Sequence, residues 1–224
     1  MLLLQISLSD SLSQAAEATI SYWELSLKGG AIMVPIALLS VVAIYIFVER
    51  YYAIRKAAQE EIQFMNSIKE FIHDGKVDAA VHLCKTLDSP VARMIETGIS
   101  RIGRPLADVS GAIENVGKLE IYKLEKGLPT LATVAGAAPM LGFLGTVIGM
   151  IQAFFQMSNA GSNIDVSLLS NGIYTAMVTT AAGLTVGIIA YFAYNILVSR
   201  VEKVVFKLEA RSTEFMDLLN EPVK

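Results

Sequence analysis

The sequence has one cysteine, two histidines and, over two long stretches, almost no charge. A single thiol, Cys84, cannot close an internal disulfide, and His73 with His82 is too little for a zinc cluster. His82-Leu83-Cys84 lacks further ligands at metal-binding spacing and reads as helical surface, so neither metal nor cofactor is expected. Basic excess is missing too: 18 Lys and Arg stand against 21 Asp and Glu, a net charge of −3, which argues against a nucleic-acid partner. An enzyme is not expected either. Ser, His and Asp are scattered at unremarkable spacing, and no nucleophile and base fall together in the apolar stretches.

What the chain has is apolar surface. Of its 224 residues 54% are hydrophobic and only 17% charged, too apolar for an ordinary soluble domain. Charge comes in blocks separated by three gaps: Ala31 to Val48, Gly127 to Ile164, and Val166 to Ser199, with Asp165 alone between the last two. A helix rising 1.5 Å per residue crosses a bilayer in about 20 residues, so each gap crosses once, and the second and third helices project beyond the membrane. The fold class expected is an all-α integral membrane protein with three spans, two of them long. Lys and Arg set the orientation: one (Lys28) before the first gap, twelve from Arg50 to Lys126, none from Gly127 to Ser199 and five from Arg200 onward. By the positive-inside rule the N-terminus is outside and the C-terminus cytoplasmic.

The organisation expected is therefore an outer segment 1–30, a first span 31–49, a cytoplasmic helical region 50–126, a second span 127–158, an outer loop 159–167, a third span 168–199 and a cytoplasmic C-terminal helix 200–224. Tyr22 and Trp23 suit the outer interface. The opening MLLLQISLSDSLSQAAEA lacks the basic start of a secretory signal and is read as a short outer amphipathic helix, although AAEA leaves a weak cleavage site. In the cytoplasmic region Asp74-Gly75 stops a helix, Ser89-Pro90 starts one, and Gly103-Arg104-Pro105 breaks another. From about Asp108 the chain reads as helix through KLEIYKLEKG straight into the second span, a single rigid rod.

At 100° per residue the second span splits into two faces. Ala135, Ala138, Gly142, Gly145 and Gly149 form a small stripe, against Met140, Phe143, Leu144, Val147, Ile151, Phe154 and Phe155. The third span repeats the device with Ala176, Thr180, Gly183, Gly187 and Ala190 against Met177, Leu184, Ile188, Tyr191 and Phe192. Lipid is as apolar as leucine, so helices pair there by close approach and polar bonds, which small stripes permit. The stripes are expected to serve close helix packing, chiefly between neighbouring copies; a single chain could also satisfy its two narrow faces with each other. The first span, AIMVPIALLSVVAIYIFV, is bulky nearly all round and reads as a lipid-facing outer helix. Pro139 bends its helix and frees a carbonyl, which the hydroxyls of Thr146, Thr175, Thr179, Thr180 and Thr185 could repair. Thr146 and Thr180 lie on or beside the small stripes and are the better candidates for an aqueous or partner-facing lining.

KLEKGLPTLATVAGAAPMLGFLGTVIGMIQAF, followed by GIYTAMVTTAAGLTVGIIAYFAYN, resembles the ExbB/TolQ family, relatives of the MotA flagellar stator subunit. The likeness lies in P-x-x-G-x-x-G-T-V at Pro139 to Val147 and T-A-x-G-L at Thr180 to Leu184, with Tyr194-Asn195 behind. It is close over residues 110 to 200 and faint at the N-terminus. It implies a proton-driven motor of the bacterial inner membrane: a ring of five copies around the single-span helices of an ExbD-like partner, whose membrane aspartate carries the proton, and onward transfer to a TonB-like protein. Thr146 and Thr180 match the family's polar pore lining. Many relatives read G-I-x-E-A where this chain has Gly172-Ile173-Tyr174-Thr175-Ala176, so Thr175 stands in place of a membrane glutamate. Without an acidic group in either inner helix the chain must depend on a partner for the proton-carrying carboxylate. A TolQ-like or gliding-type stator with another load, and a passive scaffold without ion coupling, are the competing readings.

Overall fold

The computed structural model describes residues 29–59, 63–159 and 166–220. The opening segment with Tyr22 and Trp23, and the loop residue Asp165, lie outside the described residues. Within them the chain forms seven helices and no strand: α1 (Met33–Ala58), α2 (Phe64–His73), α3 (Val77–Thr86), α4 (Pro90–Ile99), α5 (Leu106–Glu125), α6 (Leu128–Asn159) and α7 (Val166–Asn220). Three stretches, beginning in α1, in α5–α6 and in α7, are long and apolar enough to cross a membrane. The chain is an all-helical, multi-pass membrane protein.

The local stops fall where the sequence places them. Helix α2 ends at His73 ahead of Gly75, and Gly103 precedes the start of α5. Helix α4 starts on the Ser89 cap, whose hydroxyl accepts from the Ala92 amide at 3.1 Å, with Pro90 in the first turn where its missing N–H costs nothing. One expectation is corrected. The rod from Asp108 into the second span is broken: Lys126 is extended and Gly127 has φ +87°, a left-handed conformation that a side chain resists, before α6 begins at Leu128. The third span, expected to be long and to project beyond the membrane, continues into the C-terminal helix without a break. Helix α7 runs 55 residues unbroken, about 80 Å and far more than a bilayer's hydrocarbon core.

By compactness the chain divides into two units, one holding Ala135–Ile188 with the start of α1, the other Val41–Val134 with Ile189–Lys224. The second unit is built like a soluble helical bundle. Consecutive helices α2 to α5 pack on one another, and α7 buries Leu197, Val201, Val204, Leu208, Phe215 and Leu218 at steps of three, four and seven, one continuous stripe. The Phe215 ring lies over Gly98 of α4, where a Cβ would come within 2.6 Å of it. Helix α1 leans on this unit through buried Ala43, Ile46 and Ile54, while Val41, Ile44, Tyr45 and Val48 stay exposed. Arg50 of α1 donates to the Lys123 carbonyl at 3.0 Å, Lys207 of α7 donates to the Ala58 carbonyl at 3.2 Å, and the Arg200 guanidinium sits 4.4 Å from the Tyr51 ring centre.

One charge network is buried in this unit. Glu120 is 4% exposed and accepts from Arg93 of α4 at 2.6 Å and from Lys123 at 2.7 Å; Arg93 also reaches Asp88, which pairs with Lys56 at the end of α1. Burial pushes the Glu120 carboxyl up, but the hydrogen bonds from Arg93 and Lys123 outweigh it and hold the group below its usual 4.5. Cys84 is buried as well, and burial with the Glu96 charge nearby pushes its thiol up to about 12, so it stays protonated.

A carboxylate that titrates lower in the folded chain than in the unfolded one stabilises above its unfolded pKa, and that stabilisation is lost as pH falls through the folded value. Glu120→Gln should cost about 2 kcal/mol at neutral pH, the worth of a hydrogen bond to a charged group, and should flatten the loss of stability that the native protein suffers below pH 4.5. Thermal unfolding in detergent across that range checks both.

A small-residue seam between the inner membrane helices

In the first unit α6 and α7 run antiparallel and touch backbone to backbone. A Cβ on Gly183 would lie 2.5 Å from the Ala138 carbonyl oxygen and 2.9 Å from the Gly142 Cα; one on Gly142 would lie 2.9 Å from the Thr179 carbonyl oxygen. Further along, a Cβ on Gly149 would lie 3.0 Å from that of Ala176 and one on Gly172 2.5 Å from that of Ala153, while in the other direction one on Gly187 would strike the Pro139 ring. Every step of three or four residues along α6 is answered by a similar step back along α7. Ala138, Gly142, Gly145, Gly149, Ala176, Gly183 and Gly187 are all buried. Their small size is the condition for contact, because a larger group would strike main chain at Gly142 and Gly183 and the Thr179, Ala176 or Pro139 side chains at Gly145, Gly149 and Gly187.

The two stripes thus face each other inside one chain, and the expectation that they serve chiefly to join neighbouring copies is corrected. What the inner helices leave open is the bulky side: Met140, Phe143, Ile151 and Phe155 on α6, Met177, Ile188 and Phe192 on α7. In α7 the stripe also runs differently from the sequence reading. Thr179, 1% exposed, occupies its middle between Ala176 and Gly183, and Thr180 stands at its edge, half-buried. A Cβ on Gly145 would collide with the Thr179 hydroxyl. The spacing 176, 179, 183 is as helical as 176, 180, 183, and two adjacent threonines leave the choice to packing.

The hydroxyls divide by what they bond. Thr180 donates across the seam to the Gly142 carbonyl at 2.9 Å, a polar bond between the two spans. Thr146 donates to Phe143 at 2.5 Å, Thr179 to Ala176 at 2.8 Å and Thr185 to Ala181 at 2.8 Å, each within its own helix. None of these bonds reaches the Ala135 carbonyl, which Pro139 deprives of its helical donor; the hydroxyl repair expected from the sequence is replaced by close packing, with Gly187 3.0 Å away as a built Cβ. Thr146 and Thr175 are half-buried beside the seam, and the Thr175 methyl lies 4.0 Å from a Cβ built on Gly30. The site therefore brings Thr179, Thr180 and the glycines together, with Thr146 and Thr175 at its margins. It offers hydroxyls and carbonyls but no carboxylate or cationic side chain, since neither apolar stretch carries one.

Residues 86–210, more than half of the chain, match the model of the MotA/TolQ/ExbB proton channel family. The chain belongs to this family. A putative biopolymer transport protein ExbB homolog of Methanothermobacter thermautotrophicus is 30% identical over 83% of this chain and 66% of its own length. An ExbB-like protein of Synechocystis is 29% identical over 77% of this chain and 69% of its own. The Tol-Pal system protein TolQ of Haemophilus influenzae is 41% identical over a shorter region, 38% of this chain and 37% of its own. The chain spans about two thirds of the length of the first two. This family is one of membrane proton channels and not a known class of enzyme, and a stator-like role in the membrane follows for this member.

Seam and margin respond differently to added bulk. Gly183→Ala, which strikes backbone on α6, should destabilise the protein by about 1–3 kcal/mol, the usual cost of overpacking. Gly136→Ala, with open space around it on the same helix, should be neutral or slightly stabilising. Paired melting curves of the two variants in detergent decide it.

Proposed function

We propose that this chain is the wall-forming subunit of an ion-driven motor in a bacterial inner membrane, with its N-terminus periplasmic and its C-terminus cytoplasmic. Copies assemble as a homo-oligomer, a pentamer, around the single-span helices of an ExbD-like protein whose membrane aspartate carries the proton. The motion is passed to a TonB-like protein and drives transport across the outer membrane. The observation that carries this reading is the sealed seam: the small faces are used up within each chain, so the surface the inner helices offer to others is apolar, uncharged and bordered by Thr146, Thr175 and Thr180.

Such a wall suits a moving shaft. The membrane potential supplies about 2.3 kcal/mol per elementary charge per 100 mV, enough to bias rotation but not to break a strongly bonded interface. An apolar wall holds a helix by shape alone, and a few hydroxyls solvate a passing carboxylate without trapping it. Because the apolar stretches of its inner helices carry no acidic side chain, the carboxylate comes from the partner. The likeness to TolQ of Haemophilus influenzae favours a second reading with the same physics and a different load, the Tol-Pal system.

Thr146→Val should abolish energised siderophore or haem uptake while the native mass and the co-purifying single-span protein are unchanged. Thr180→Val should do the same and also lose about 0.6 kcal/mol of stability with its bond across the seam. Normal uptake in both variants would overturn the assignment, and purification without any acidic single-span partner would favour a passive scaffold.

A further inference from the structure

The second unit carries two features that its own packing leaves unsatisfied. The first is a cleft of about 640 Å³ between the α5–α6 junction and α7. Its walls are apolar, with Ile121, Leu128, Val198 and Val205 among them, and its edges hold three carboxylates, Glu125, Glu202 and Glu209. None of the three pairs with a cation among the described residues. Glu202 and Glu209 stand one heptad apart on the same side of α7, and the cleft follows that helix from Tyr194 to Glu209, about four turns. Phe206 stands over it, 73% exposed.

The second feature is the outer ridge of α5. Leu119 and Tyr122 are 61% and 73% exposed, on the side opposite buried Val109, Ile113, Gly117 and Leu124. Lys118 and Lys126 flank them; among the described residues Lys118 is held by an exposed pair with Glu114 and Lys126 by no carboxylate. Both features lie in the charged part of the chain, where water would meet these rings and where exposed apolar groups at helical spacing mark a contact surface.

We infer that the ridge of one copy enters the cleft of the next: Leu119 and Tyr122 cover Phe206 and the apolar walls, and Lys118 and Lys126 meet Glu125, Glu202 and Glu209. Groove and ridge are different patches of one chain, so the contact is head-to-tail and repeats from copy to copy until a ring closes. The charges fix the partner. The ridge, flanked by Lys118 and Lys126, is complementary to a groove edged by Glu125, Glu202 and Glu209. This rests on the proposed homo-oligomer and names the surface that makes it.

The test uses the full chain in detergent. Copies carrying Tyr122→Cys are co-expressed with differently tagged copies carrying Val205→Cys, so that a short thiol cross-linker joins them only between molecules; Cys84, buried and held protonated, does not compete. The expected result is strong cross-linking for this pair and little for Tyr52→Cys with Val205→Cys. In the same background Glu202→Lys with Glu209→Lys, or Lys118→Glu with Lys126→Glu, should lower the yield by about tenfold, as like charges across an interface do, and combining all four should restore it. Equal cross-linking from Tyr52, no effect of either charge reversal, or no recovery in the fourfold variant overturns this interface and leaves the ring reading standing if native mass still shows an oligomer. A monomeric wild-type protein overturns both.

Discussion

The fold depends on the contact of two backbones in a solvent that gives apolar side chains nothing for leaving it. In hydrocarbon, Leu against lipid and Leu against Leu are nearly equivalent, so α6 and α7 are held by van der Waals contact at short range and by what polar bonds they can form. Gly142, Gly145, Gly149, Gly183 and Gly187 bring the main chains close enough for that, and Thr180 adds a hydrogen bond to the Gly142 carbonyl across the contact. Pro139 belongs to the same arrangement. Its ring fits the space that Gly187 leaves, and the carbonyl it frees lies against that glycine.

Spending the small residues inside one chain settles what the chain presents to others. Phe143, Phe155, Met177 and Phe192 are what remains outside, a surface that can face lipid or an apolar helix but bonds strongly to neither. A stator wall needs that combination of a rigid interior contact and a slippery exterior one. The buried Thr179 hydroxyl stays with its own helix, and Thr146, Thr175 and Thr180 at the margin are half-buried.

The charged part of the chain follows the opposite rules, because there water drives burial. Leu197 to Leu218 form a heptad stripe of large side chains where the membrane helices use glycine, and the buried Glu120 is compensated by two cations, whereas the apolar stretches of α6 and α7 hold no carboxylate at all. Lys126-Gly127 marks the change between the two regimes in sequence as well as in backbone, with the last lysine before the apolar stretch and a left-handed glycine side by side. The continuous rod was expected because the helical reading runs through this passage into the second span, and only the backbone angle reveals the turn.

The sequence alone determined the three spans, the stops at Gly75 and Gly103, the cap at Ser89, the two small stripes and the resemblance that carries the family. Each of these is written in local spacing or in charge, quantities that a helix of fixed rise and pitch converts directly into faces and lengths. Tertiary structure alone decided which stripe meets which, that Thr179 rather than Thr180 sits in the middle of the contact, that Thr180 bonds to Gly142, and that Glu120 is buried between Arg93 and Lys123. The bonds between helices join residues far apart in sequence, 27 positions for Arg93 with Glu120 and 38 for Thr180 with Gly142, and a periodic pattern records that a face is small without recording what lies against it.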